Sequence, residues 1–190
     1  SYTTTWRVTN KSAEPDSVMV NQTFGTKRKN AYEIFEDCLN MQSTTVRDRQ
    51  EYINEKGNKM TYFGFDAENG KLHARQNLPT LPETYTGEGQ ASASLLDKNG
   101  EILIGSNRIH ESIVLYRIDQ NTGYMKELGY YPTLGLTPRF ISFNRDYSLL
   151  YAANEDSDTI VEMRLCEETG RMEYTGRIIH TESPVCVTFR

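Results

Sequence analysis

The feature that most constrains the fold is a repeat. Started at Asn54, Asn107 and Asn154, the stretches "NEKGNKMTYFGFDAENGKL", "NRIHESIVLYRIDQNTGYM" and "NEDSDTIVEMRLCEETGRM" align without a gap. Sixteen residues after each Asn stands a glycine, Gly70, Gly123 or Gly170, followed two places later by Leu72, Met125 or Met172. The starting asparagines are 53 and 47 residues apart. A unit that recurs at such a period buries its apolar face against copies of itself, so the fold is read as a repeat before any site is sought.

Each shared position has a physical reason. Thr61, Phe63 and Phe65, then Val114, Tyr116 and Ile118, then Val161, Met163 and Leu165 alternate along the chain, which places one row of side chains on one strand face. The "DAENG", "DQNTG" and "CEETG" that follow are hairpin connections in which glycine supplies a positive φ. A further strand begins after each, and another precedes each Asn, clear in "EILIGS" and "SLLYAA" and weaker in "EYI". Before those lie "QASASLL" and "RFISFN". One unit is therefore four antiparallel strands of about 50 residues, the length of a propeller blade. A sandwich needs no fixed repeat, and solenoid units are usually shorter; the reading is an all-β chain, a β-propeller of four-stranded antiparallel blades with three recognisable units.

Composition narrows the function. A net charge of −5 argues against nucleic acid as partner, because phosphate backbones demand a concentrated basic surface. The one dense basic run is Lys27, Arg28 and Lys29, read as a solvated turn. No run of about 18 apolar residues suggests a membrane helix, and the first residues lack the pattern of a signal peptide. The three cysteines, Cys38, Cys166 and Cys186, are scattered and odd in number, which fits reduced thiols in a cytoplasm and no metal site. The absence of a G-x-S-x-G elbow and of a Cys-His pairing disfavours nucleophilic Ser or Cys catalysis, no glycine-rich phosphate loop supports nucleotide binding, and no cofactor is expected.

Residues 1–45 differ from the rest. "TTWRVTN" and "SVMVNQTF" suit strands, whereas "NAYEIFEDCLNM" sets Ile34, Phe35, Cys38 and Leu39 on one helical face. This region is read as a divergent unit or distorted blade ahead of a partial propeller at 46–190. The lone segment "PVCVTF" near the end expects a strand partner in the N-terminal region or in a second chain, and open blade edges of this kind allow self-association.

The stretches "LPTLPETYTGEGQASASLLDKNGEILIGSNRIHESIVLYRID" and "TPRFISFNRDYSLLYAANEDSDTIV", with the ending "SPVCVTF", resemble the C-terminal part of the bacterial lactonase family typified by the propeller-type 6-phosphogluconolactonase. The resemblance covers roughly residues 52 to 190. It implies a seven-bladed propeller of about twice this length, a small-molecule sugar lactone as substrate, and relatives that open or close muconate lactones. Lactone opening needs an activated water, donors over the developing oxyanion and a cation for phosphate. Arg139, just after Thr137 and Pro138, matches the family's "PR" position and is the candidate anion clamp. Arg108 and His110 match its "NR-x-H" pattern, Arg108 as a candidate substrate contact and His110 as a candidate catalytic group, and Glu88 in "TGE" is a candidate base. Asn107 and Asn154 are candidate substrate contacts too, although recurrence at one repeat position favours a turn-capping role. The family's inner strand carries a Glu after "TGE", in an "AAEI" or "SAEI" segment; here "ASASLL" puts Ala93 there. Two classes of function follow: a hydrolase of phosphorylated sugar lactones with reduced activity, or a propeller scaffold that binds a ligand or partner without turnover.

Overall fold

The computed structural model describes residues 3–7, 19–23, 41–47, 50–55, 57–66 and 68–189, those before residue 57 by their backbone alone. The basic run at 27–29 and the helical face at 34–39 lie outside the described residues. Fourteen strands are described: β1 (Thr3–Arg7), β2 (Met19–Thr23), β3 (Met41–Arg47), β4 (Gln50–Glu55), β5 (Lys59–Asp66), β6 (Lys71–Pro79), β7 (Gln90–Leu96), β8 (Ile102–Arg108), β9 (Ser112–Ile118), β10 (Met125–Pro132), β11 (Pro138–Phe143), β12 (Leu150–Asn154), β13 (Thr159–Cys166) and β14 (Arg171–His180). They form three four-stranded antiparallel sheets in sequence order, β3 to β6, β7 to β10 and β11 to β14, plus the hairpin β1–β2. The three repeat units are thus three blades of a partial β-propeller. β3 begins at Met41 and spans the expected boundary at residue 45; its polar "MQSTTVR" carries little apolar alternation, so the inner strand of this blade had no clear sequence signal.

The alternation in the repeat becomes a division of side chains between neighbours. On β8 and β9, Ile102, Ile104, Ile113 and Leu115 face the third blade, where they meet Leu150, Ala152, Val161 and Met163. Leu103, Val114, Tyr116 and Ile118 on the same strands face the first blade and meet Met60 and Tyr62. The middle blade is buried on both faces, which is why its two central strands read as nearly continuous apolar runs. Each such side chain contributes about 1.5–3 kcal/mol by leaving water. Outer strands are tied as well: the Gln76 side-chain amide accepts from the Met125 N–H and donates to the Met125 carbonyl, at 2.6 and 2.9 Å.

The hairpin glycines take the left-handed conformation expected of them, with φ of +62° at Gly70, +79° at Gly123 and +65° at Gly170. Asp66 and Asp119 accept backbone N–H groups of the first two of these turns, Asp66 from Glu68 and Asn69 and Asp119 from Asn121 and Thr122. Residues 184–189 join no sheet, and β1 pairs with β2; among the described residues the strand pairing expected for "PVCVTF" is not formed. Instead Phe189 rests on the Tyr151 ring at 5.2 Å.

Gly70 and Gly170 share a φ but not a neighbourhood. A Cβ at Gly70 would meet nothing within 4 Å, whereas one at Gly170 would collide with Leu128 Cδ1, a side chain packed on the core between the second and third blades. Gly70→Ala is expected to cost about 1–2 kcal/mol, the strain of a left-handed alanine, and Gly170→Ala more. Equal losses in chemical denaturation would contradict this packing.

Candidate functional site

The blades bring the ends of their inner and second strands to one side. Gln90 at the start of β7 pairs with Arg108 at the end of β8, and Pro138 at the start of β11 pairs with Asn154 at the end of β12. The loops after β8 and β12 and the connections into β7 and β11 open on this side too, so Glu88, Arg108, His110 and Arg139 come to one end of the molecule although 51 residues separate the first from the last.

Each inner strand carries a bulge near its start, between Met41 and Ser43, Ala91 and Ser94, and Pro138 and Phe140. A bulge sets an extra residue opposite its partner strand and re-aims a side chain. In β11 the extra residue is Arg139; in β7 the bulge holds Ser92 and Ala93. The two bulges are joined, for Ser92 Oγ donates to the Arg139 carbonyl at 2.8 Å, while the Ala93 N–H donates to Ser106 Oγ at 3.0 Å.

β7, β11 and residues 185–189 enclose an open groove of about 1090 Å3. Arg108 and Arg139 line one end of it and Arg145 the other, and its described lining contains no carboxylate or imidazole. Burial, and then the like charge of Arg139, push the Arg108 guanidinium below its ordinary value, with Glu155 opposing. Two cations brought this close in a partly desolvated groove favour an anion between them. Arg139, about half exposed, also pairs with Glu155 at 3.0 Å.

Glu155 went unnoticed in the sequence. It occupies the repeat position of Arg108, one residue after the recurring Asn, and comparison of the units at that position is the signal by which it could have been found. Glu111 was missed as well. Its carboxylate accepts N–H groups from Ile109 and Thr137, and its pKa is raised, by burial first and by Asp156 in addition, against the pull of those two donors.

The remaining candidates stand apart from the groove. Asn107 is fully buried, and its amide donates to the Thr80 carbonyl at 2.6 Å and to Ser112 Oγ at 3.3 Å. Asn154, equally buried, donates to the Thr133 carbonyl at 3.1 Å and Thr159 Oγ1 at 3.4 Å. Both therefore staple the connection from the preceding blade, the turn-capping role their recurrence suggested. His110 packs edge-on against Tyr85, ring centroids 4.5 Å apart, and its Nδ1 lies 2.7 Å from Ser112 Oγ. Glu88 is exposed, and its backbone carbonyl holds the Tyr85 hydroxyl at 2.8 Å. Ala93 is buried in the groove wall at the place where the family resemblance implies a Glu. Among the described residues no cluster of His, Cys, Asp and Glu could hold a metal ion, and no helix is long and apolar enough to cross a membrane.

Residues 51–189 match the family model described as "Lactonase, 7-bladed beta-propeller". The chain belongs to this lactonase family. Residues 1–77 also match a model described as a domain of unknown function, DUF8437. The 6-phosphogluconolactonase of Bacillus subtilis is 26% identical over 144 residues, 75% of this chain and 41% of that protein. An uncharacterised protein of Lactococcus lactis is 24% identical over 71% of this chain and 40% of its own length. Among solved structures, the periplasmic gluconolactonase of Pseudomonas aeruginosa superposes with a TM-score of 0.68 at 22% identity, over 72% of this chain and 38% of that one. A putative 6-phosphogluconolactonase of Bacteroides uniformis gives 0.68 at 22% identity over 99% of this chain and 51% of that one. These structural likenesses bear on the fold, and this lactonase-family chain spans about 40% of the length of the curated relatives it matches.

Burial holds the His110 imidazole below its ordinary pKa. The folded chain therefore prefers the neutral ring, and the stability this gives is full above about pH 6.5 and lost as the pH falls below it. An NMR titration of His110 is expected to show a midpoint under that of an exposed histidine; a midpoint at or above it would contradict the burial.

Proposed function

We propose that this chain carries the anion-binding part of a sugar-lactone site, that it binds phosphorylated sugar lactones and their open acids through Arg108 and Arg139, and that it turns them over slowly or not at all. The observation that carries this reading is the groove itself, lined by arginines and by no described carboxylate or imidazole. Family membership supports the sugar-lactone class, as does the similarity to the Bacillus subtilis 6-phosphogluconolactonase. In the proposed complex the phosphate takes charge-assisted hydrogen bonds from Arg139, set in its bulge, and from Arg108 beside it. Ring opening also requires a proton acceptor aimed at the attacking water, and Ala93 offers none. The unpaired thiols of Cys166 and Cys186 support a reducing, cytoplasmic setting.

Glu155 favours a second reading, in which the chain is an active hydrolase. It is the carboxylate that the fold brings to Arg139, from where it would accept the proton of a water attacking an anion held by the two arginines.

The discriminating experiment follows 6-phosphogluconolactone decay above the spontaneous rate, with calorimetric binding of 6-phosphogluconate. The unmodified chain is expected to bind the acid and leave the lactone decay near background. Arg139→Ala should weaken binding by about 10- to 100-fold, the loss of a charge-assisted contact to phosphate of about 1.5–3 kcal/mol. Clear turnover by the unmodified chain, abolished by Glu155→Gln, would replace the binding reading with the hydrolase reading. Equal binding by the parent and Arg139→Ala, both folded, would remove Arg139 from the site.

A further inference from the structure

The loops beside Arg108 and Arg139 hold costly backbone conformations that one side chain bridges. Ile109, directly after Arg108, has φ +75°, and Thr137, two residues before Arg139, has φ +56°. Both are β-branched, for which the left-handed region is a steric outlier that persists only when the surroundings enforce it. One side chain reaches both: Glu111 Oε1 accepts the Ile109 N–H at 3.0 Å and Oε2 accepts the Thr137 N–H at 2.5 Å, while the Thr137 carbonyl accepts the Glu155 N–H at 2.9 Å. Glu111 is itself anchored, since its carbonyl accepts the Thr133 N–H at 2.9 Å and the Thr133 hydroxyl at 3.1 Å. The tie extends one step further, because the Thr137 hydroxyl donates to Asp156, the neighbour of the Glu155 that pairs with Arg139.

The other blades show what is special here. Asn58, Glu111 and Asp158 occupy one repeat position, and their φ values of +59°, +57° and +56° nearly coincide. From all three a backbone carbonyl accepts the N–H of the next connection, at Thr80, Thr133 and Thr181. In the third blade the Asp158 carboxylate also holds the Ser183 N–H at 2.8 Å. Glu111 has the extra methylene that lets its carboxylate span two loops, its own and the one leading into the next inner strand.

We propose that Glu111 is a positioning residue that fixes the spacing and orientation of Arg108 and Arg139 by clamping the backbone beside each of them. Its carboxylate touches no ligand; it acts through the arginines. The consequence for binding rests on the reading of those arginines as an anion site, whereas the clamp itself does not.

Glu111→Gln tests it, since the amide keeps the size of the side chain but has one oxygen with which to accept two N–H groups. In the ligand-free full chain, the NMR signals of the Arg108 and Arg139 Nε–H groups are expected to shift, and the Ile109 or Thr137 amide to lose protection from hydrogen exchange, while the Asn107 and Asn154 side-chain amides stay in place. With 6-phosphogluconate as the probe, the variant should bind about fivefold more weakly, and adding it to Arg139→Ala should cost less than about twofold further, as coupled residues do. Unmoved arginine signals, or the same fold-loss with and without Arg139, would overturn the proposal. If the parent chain binds no 6-phosphogluconate, the anion-site reading fails and the ligand-free signals decide the clamp alone. Should Glu111→Gln lower the folded fraction, Glu111→Asp, which keeps the charge but shortens the reach, is read in the same way.

Discussion

Face-to-face burial of the middle blade is the constraint on which the rest of the structure depends. Its two central strands divide their side chains between two neighbours, Ile104 and Leu115 toward the third blade and Leu103 and Val114 toward the first. A strand with both faces committed has no freedom to slip, because a shift of one residue would send each side chain to the wrong neighbour. The ends of β7, β8 and β11 are thereby held in place, and with them Arg108 at the end of β8 and Arg139 at the start of β11. Rigid elements of this kind are what a binding site needs beneath its loops.

The outward face of the third blade departs from this plan. Where the middle blade presents Ile104 and Leu115, the third presents Tyr151 and Glu162 at the same repeat positions. Glu162 is buried, and although burial opposes its charge, hydrogen bonds from Tyr151 and Thr175 and the nearby Arg177 hold its carboxyl below the usual value. A buried carboxylate is tolerated only with such partners. The face is thus a satisfied polar network flanked by the Phe189 ring, unlike the apolar faces between the described blades.

The proposed anion site would rest on three devices, taken in order from the groove inward. Arg108 and Arg139 present the charge, the β7 and β11 bulges aim the strand starts, and Glu111 with the Asn107 and Asn154 staples holds the loops behind them. Of these, the staples serve the fold and the site at once, since each buried amide joins one blade's connection to the next blade's central hairpin. The proposed anion site would thus bind through pre-set geometry, which lowers the ordering cost of binding.

The sequence by itself determined the blades. Strand alternation and the turns at Gly70, Gly123 and Gly170 are settled within a few residues of chain, by the period of the strand and by the φ each turn needs, so they were legible without a structure. Arg139 and Arg108 were legible as members of motifs, and the asparagines as recurrent turn residues. Only the tertiary structure decided that Glu155 meets Arg139, that Glu111 bridges two loops 28 residues apart at Ile109 and Thr137, that Glu88 and His110 stand away from the groove, and that residues 184–189 lie along it without joining a sheet. The physical reason is that these juxtapositions depend on how one blade packs against the next, and packing between blades is set by the summed fit of many buried side chains rather than by any short run of sequence.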